Sequence, residues 1–159
     1  MEFFTIGVYD STEKEFFEKL TKNNIDALCD IRQVRWMRNQ RYAFVNECRL
    51  RQELGKIRIK YYCIPELAPT TEIRDVQKRA DRKKGELKTK RKELGEEFAA
   101  AYKTQIVNNF DFEAFLTRLS QLKASRVALF CVEGFPKACH RSIVADHLSN
   151  KYNYGIKHL

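Results

Sequence analysis

The chain has 159 residues, with thirty Lys and Arg against twenty-one Asp and Glu, a formal net charge of +9, and 43 % apolar side chains. That length and apolar content support one packed domain of residues 1–159. No apolar run approaches the roughly 18 residues that a membrane helix needs. Three prolines and six glycines argue against a disordered or collagen-like chain.

The predicted elements alternate in chain order. Phe3 to Val8 reads as a strand. Asp10, Ser11 and Thr12 offer helix caps, and Thr12 with Glu15 fits a capping box for a helix over 12–23 carrying Phe16, Phe17 and Leu20. Ile25 to Ile31 is a second, buried strand. The arginine-rich stretch 32–45 has no period and reads as a loop. Asn46 is placed to cap a helix over 47–54 that stops at Gly55. Ile57 to Ile64 is a third strand, and Pro65 and Pro69 bracket a turn.

Residues 70–95 are helical in composition but thin in apolar side chains. Ile73, Val76, Ala80, Leu87 and Leu94 form a narrow stripe, which predicts a helical excursion with one packed edge and a wide basic face in solvent. Helices follow over 96–108 and from the Asp111 cap onward. Val127 to Val132 reads as a central strand, His140 to Tyr152 as a helix, and the final GIKHL as a fifth strand. The predicted fold class is α/β: a mostly parallel sheet of about five strands flanked by helices, with a basic helical excursion at about 70–95.

The charge is localised. Residues 32–60 hold nine basic and two acidic side chains, and residues 71–95 hold ten and five. With the single Glu66 between them, 32–95 carries +11 and the rest of the chain −2. A nucleic acid or another polyanion is the expected partner. In the loop after the second strand, Arg32, Arg35, Arg38 and Arg41 recur every third residue, with Trp36 and Tyr42 among them. Arginine forks fit phosphate and flat aromatic rings stack on bases, so Arg35, Trp36, Arg38, Arg41 and Tyr42 are candidate nucleic-acid contacts.

Ligands of open α/β sheets sit beyond the carboxyl ends of the strands. The second strand ends Cys29-Asp30-Ile31-Arg32. The fourth ends Cys131-Val132-Glu133, and Cys139-His140-Arg141 open the next helix. A helix start offers free N–H groups to an anion. Asp30, Arg32, Glu133, His140 and Arg141 are therefore candidates for an anion or ligand pocket. Arg141 has an alternative role, pairing with Asp30 or Glu133 across strand ends. Cys131 and Cys139 are candidate catalytic thiols, with Cys139 either a nucleophile or a helix cap beside the anion site.

Five cysteines without a disulfide-scaffold spacing or a leader-like N-terminus predict a reducing, cytoplasmic setting. Cys139, His140 and His147 do not make the paired spacing of a structural zinc site, so no metal and no cofactor are expected, and no membrane partner.

These residues also carry a resemblance. TIG at Thr5–Gly7, CDIR at Cys29–Arg32, PEL at Pro65–Leu67 and CVEGFPKACHRSIVADHL at Cys131–Leu148 are similar to the motifs of the domain-of-unknown-function 488 family. Cys131, Glu133, Pro136, Cys139, His140 and Arg141 stand in register with its C-x-E-x-x-P-x-x-C-H-R signature. Val8-Tyr9 replaces the family's usual His-Ser, and Ala68-Pro69 its Gly pair. The resemblance implies no assigned activity. A fainter likeness in layout to rhodanese sulfurtransferases implies a persulfide on Cys131 and an anion cradled by 132–138.

Three functional expectations follow: a protein that binds nucleic acid or a phosphorylated ligand; a thiol-dependent enzyme, sulfurtransferase-like or with a cysteine nucleophile; and a non-catalytic module whose basic excursion docks an acidic protein.

Overall fold

A computed structural model describes residues 1–9 and 11–159; Asp10, one of the expected caps, lies outside the described residues. Five parallel strands form one sheet: β1 (Glu2–Ile6), β2 (Ala27–Asp30), β3 (Lys60–Cys63), β4 (Arg126–Phe130) and β5 (Ile156–His158), in the order β3-β2-β4-β1-β5. The helices are α1 (Glu13–Lys22), α2 (Glu47–Lys56), α3 (Thr71–Lys84), α4 (Glu96–Gln105), α5 (Phe112–Gln121) and α6 (His140–Tyr152). No helix among the described residues is long and apolar enough to cross a membrane.

Local chemistry explains most boundaries. Thr12 and Glu15 close a reciprocal capping box at the start of α1. Thr70 caps α3 and Asp111 caps α5 by a single side-chain acceptor each, from the backbone N–H of Ile73 and of Ala114. The core is built from the continuous apolar runs of β1, β2 and β4, with Phe16 of α1 edge-on to Phe130 of β4.

Several boundaries differ from the sequence reading: β3 begins at Lys60 rather than Ile57, and α4 ends at Gln105 rather than at 108. Gly55 lies inside α2; the helix runs to Lys56 and the chain turns at Arg58, which adopts a left-handed φ of 60°. Asn46 precedes α2 without capping it by its side chain. Its Oδ1 instead accepts from the Met37 backbone N–H at 2.5 Å, pinning the arginine loop. The 70–95 excursion is not one helix. α3 ends at Gly85, whose φ of 63° suits glycine, and the chain then folds back through a short 3-10 turn at Lys88–Lys90. The buried edge of α3 is Ile73, Gln77 and Asp81, two of them polar.

Sheet topology positions the site. The chain leaves β2 toward the β3 edge and leaves β4 toward the β5 edge, so the connections diverge at the C-terminal ends of these two adjacent strands. Such a divergence opens a crevice where ligands bind in open parallel sheets. Right-handed crossovers in opposite directions put α1 and α6 on opposite faces of the sheet. Asp30 and Phe130 are register partners, so the residues just beyond them, Arg32 and Cys131–Glu133, surround one crevice.

Candidate functional site

A cavity of about 260 Å³ occupies this crevice. Arg32 and Met37 from the loop after β2, Arg74, Gln77 and Asp81 from α3, and Lys88 and Arg91 from the returning segment form much of its wall. Cys131, Glu133, Cys139 and His140 complete it.

The ion pairs are arranged around two carboxylates. Asp30 receives Arg32 twice, at Nε (2.8 Å) and Nη2 (2.6 Å), and the Tyr61 hydroxyl at 2.7 Å. Arg32 Nη2 also donates to the Val45 carbonyl at 2.9 Å, and its guanidinium lies over the Phe130 ring at 4.5 Å. Arg32 is only 2 % exposed, and its Nη1 has no hydrogen-bond partner among the described residues. At the second carboxylate, Glu133 Oε1 receives Arg91 at 3.1 Å and faces Lys88 at 3.6 Å. Arg91 also donates to Asp81 at 2.6 Å and to the Ala138 carbonyl at 3.1 Å, and Asp81 accepts from Gln77.

Arg141 is fully buried and takes neither of the side-chain acids considered as partners. It donates to the backbone carbonyls of Glu133 and Gly134, the latter at 2.9 Å, and so braces the loop after β4. Gly7 belongs to the same packing: a Cβ there would overlap the Glu133 carbonyl. A close backbone approach, not a turn, requires this glycine.

At the cavity floor, the His140 ring is placed between two thiols. Its Nδ1 lies 3.9 Å from Cys131 Sγ and 3.8 Å from Cys139 Sγ, while Nε2 meets the Ile31 carbonyl at 3.1 Å. A carbonyl only accepts, so Nε2 carries the hydrogen. Cys131 donates to Glu133 Oε2 at 3.3 Å. Burial opposes ionisation of Cys139, but the Cys131 hydrogen bond and the charges of His140 and Arg141 outweigh it and hold this thiol well below the ordinary range. Cys131 is pushed well above that range, first by burial and then by its contact with Cys139. Burial, followed by the negative charge on Cys139, also raises Glu133. Two such thiols beside an imidazole can serve as nucleophile, as disulfide or as metal ligands.

The structure thus brings Arg32, Cys131, Glu133, Cys139 and His140 to the cavity wall, while Asp30 and Arg141 do not line it and instead hold Arg32 and the loop after β4 from within the protein. The arginine loop is only partly available. Trp36 is 68 % exposed, and Arg38 and Arg41 are also exposed. Arg35, in contrast, is half-buried and bound to Glu47 at 3.0 Å, and Tyr42 is buried in the core. Sequence reasoning missed Gln77, Asp81, Lys88 and Arg91. They lay in a charge run that looked solvated, and the Gln77–Asp81 spacing of four on one helix face was the one available signal.

No curated protein and no solved structure matches the chain. A family model described as domain of unknown function DUF488 matches residues 12–148, from the α1 cap into α6. That segment contains every strand-end residue of the crevice, including the CDIR and C-x-E-x-x-P-x-x-C-H-R signatures, and the chain therefore belongs to the DUF488 family.

Proposed function

We propose that the chain binds a phosphorylated or otherwise anionic ligand in the crevice between the ends of β2 and β4. The observation that carries this reading is Arg32 Nη1: a buried cationic donor without a partner, in a residue lining the cavity. Buried donors are otherwise satisfied, and leaving one bare costs about 1–3 kcal/mol. An oxyanion in the cavity supplies the acceptor. Arg74 and Lys78 add charge on the same wall, where Arg74 donates to the neutral Gln33 amide oxygen.

The exposed Trp36, Arg38 and Arg41 lie in the same loop as the cavity-lining Val34 and Met37. They extend the basic surface outward from the crevice, which fits a ligand whose phosphate enters while a base or sugar stays at the mouth. An oligonucleotide is the larger member of the same class.

Calorimetric titration at about 50 mM salt tests this, since phosphate contacts are strongest there. Inorganic phosphate, a mononucleotide and a short single-stranded oligonucleotide are the probes. At least one binds the wild-type chain, and Arg32→Lys, which keeps the charge but removes Nη1, weakens it about ten- to a hundredfold, as expected for a charge-assisted hydrogen bond. Heat release from none of the three, or equal affinity in the folded Arg32→Lys variant, overturns the reading. Binding of the oligonucleotide alone, lost with Trp36→Ala and not with Arg32→Lys, moves the site from the crevice to the loop.

A further inference from the structure

The geometry points to a zinc-class metal site made by Cys131, Cys139 and His140 at the cavity floor. Their ligand atoms all lie within 4.8 Å of one another, and all three residues are buried. Zinc bonds sulfur at about 2.3 Å and imidazole nitrogen at about 2.0–2.1 Å, so a tetrahedral centre has a sulfur–nitrogen edge of about 3.5 Å. The observed separations of 3.8 and 3.9 Å exceed that edge by a few tenths of an ångström. The two sulfurs, within 4.8 Å of each other, have to reach an edge of about 3.8 Å to close on one ion.

The histidine is already set for this role. Metal-bound imidazoles commonly donate their other ring N–H to a carbonyl or carboxylate, which fixes the tautomer and aims the free nitrogen. His140 does so through Nε2 to Ile31, with Nδ1 turned to both sulfurs. The Tyr102 ring, 5.2 Å from the imidazole, packs against its side. Two thiolates and one imidazole are a soft donor set, suited to zinc and unsuited to magnesium or calcium.

Two sulfurs and one nitrogen leave one tetrahedral corner unfilled. Closed structural zinc sites use four protein ligands, whereas sites that meet a substrate keep one position open. Cys131, Cys139, His140 and Glu133 all line the cavity, so the remaining position belongs to the space where the anion is proposed to bind. Glu133 Oε2 stands 3.3 Å from Cys131 Sγ, while Oε1 is occupied by Arg91. The two cysteines stand eight positions apart, one just beyond β4 and the other at the cap of α6, which is why a spacing search for paired cysteines does not find the set.

The test uses the full-length chain, reduced and purified without chelator. Metal analysis is expected to give close to one zinc per chain. After chelation, titration with cobalt(II) is expected to produce the intense visible bands of a tetrahedral site and a thiolate-to-metal charge-transfer band, saturating at one equivalent. Cys139→Ser and His140→Gln each weaken uptake by more than about 100-fold, beyond the 10–100-fold that loss of an outer-shell partner costs. Cys63→Ser, which alters a half-buried thiol at the end of the edge strand β3, two strands away from β4, leaves it unchanged. A reduced wild-type chain that takes up neither zinc nor cobalt at one equivalent overturns the proposal without recourse to any variant. So does uptake that persists in a folded Cys139→Ser chain, or that depends on the exposed Cys48. Anion binding at Arg32 is read separately by calorimetry on the metal-free chain, so either proposal can fail alone.

Discussion

Arg32 commits Nε and Nη2 to the Asp30 carboxylate, at 2.8 and 2.6 Å, and leaves Nη1 without an acceptor among the described residues. The two residues are neighbours but one on the same strand end, yet the pair is almost wholly buried. Its geometry makes the guanidinium a rigid fixture with one free prong. Removing one member of a buried ion pair strands the other, at about 3–5 kcal/mol. Asp30→Asn is therefore expected to lower the unfolding free energy by that amount in urea denaturation. A loss within 0.5 kcal/mol of zero, the range typical of surface changes, would show that the pair is not structurally coupled.

Gly7 and the Glu133 carbonyl are in close packing, with the Arg141 guanidinium behind them. Gly7→Ala forces the β4 loop outward, and overpacking of this kind costs about 1–3 kcal/mol. Thermal denaturation should show the loss, and metal or anion binding should weaken with it because the same loop carries Glu133. An alanine variant as stable as wild type contradicts the packing account.

Arg91 ties the segment after α3 to the body of the protein through Asp81, Glu133 and Ala138. Arg91→Met removes all three attachments and leaves two buried carboxylates facing each other's charge. The Lys-rich stretch around Lys88 and Lys90 then opens to protease. Limited trypsin digestion should cut the variant there faster than wild type while the sheet core stays intact. Equal cleavage rates would mean that other contacts hold the segment.

Cys29 sits in β2 with no exposed surface, and burial, followed by the neighbouring Asp30 charge, pushes its thiol up to about 12. A thiol reacts as the thiolate, so Cys29 should stay unlabelled by a disulfide reagent at mildly alkaline pH in the native chain, while the exposed Cys48 labels at once. Comparable labelling rates at the two positions would disprove the burial of β2.

His147 lies against the Phe112 ring at 4.4 Å, and its Nε2 is buried without a partner among the described residues. Burial, aided by Lys151 one turn on, lowers its pKa below the ordinary 6.5. The folded chain thus binds this proton less well than the unfolded chain. Stability is complete above the unfolded value and is lost as pH falls through 6.5 toward the lower folded value, no faster than about 1.4 kcal/mol per pH unit for one group. His158 shifts in the same direction, so the contribution of His147 is the difference between wild type and His147→Gln. Identical pH–stability profiles for the two chains would refute it.

Periodicity and capping, which are local properties, made the strands and helices legible. The largely apolar runs at Phe3, Ile25 and Val127 mark strands buried on both faces, and Thr12 with Glu15 or Asp111 mark helix starts because their side chains bond within one turn. The crevice residues Asp30, Arg32, Glu133 and His140 were legible for a related reason: strands of a parallel sheet end at one level, so the residues that follow them must converge. Their pairing was not legible. Arg141 seeks backbone carbonyls rather than an acid, a choice set by how closely Gly7 approaches Glu133. Asp81 and Arg91 read as solvated charges because their burial depends on the chain turning back at Gly85 and meeting Glu133, forty-two positions away from Arg91. The sequence by itself determined the elements, the family and the residues at the strand ends. Only the tertiary structure decided which charges neutralise one another, which donor of Arg32 is left bare, and that two cysteines and a histidine share one point in space. Those outcomes depend on distances of a few ångströms between segments far apart in the chain, and local pattern carries no information about them.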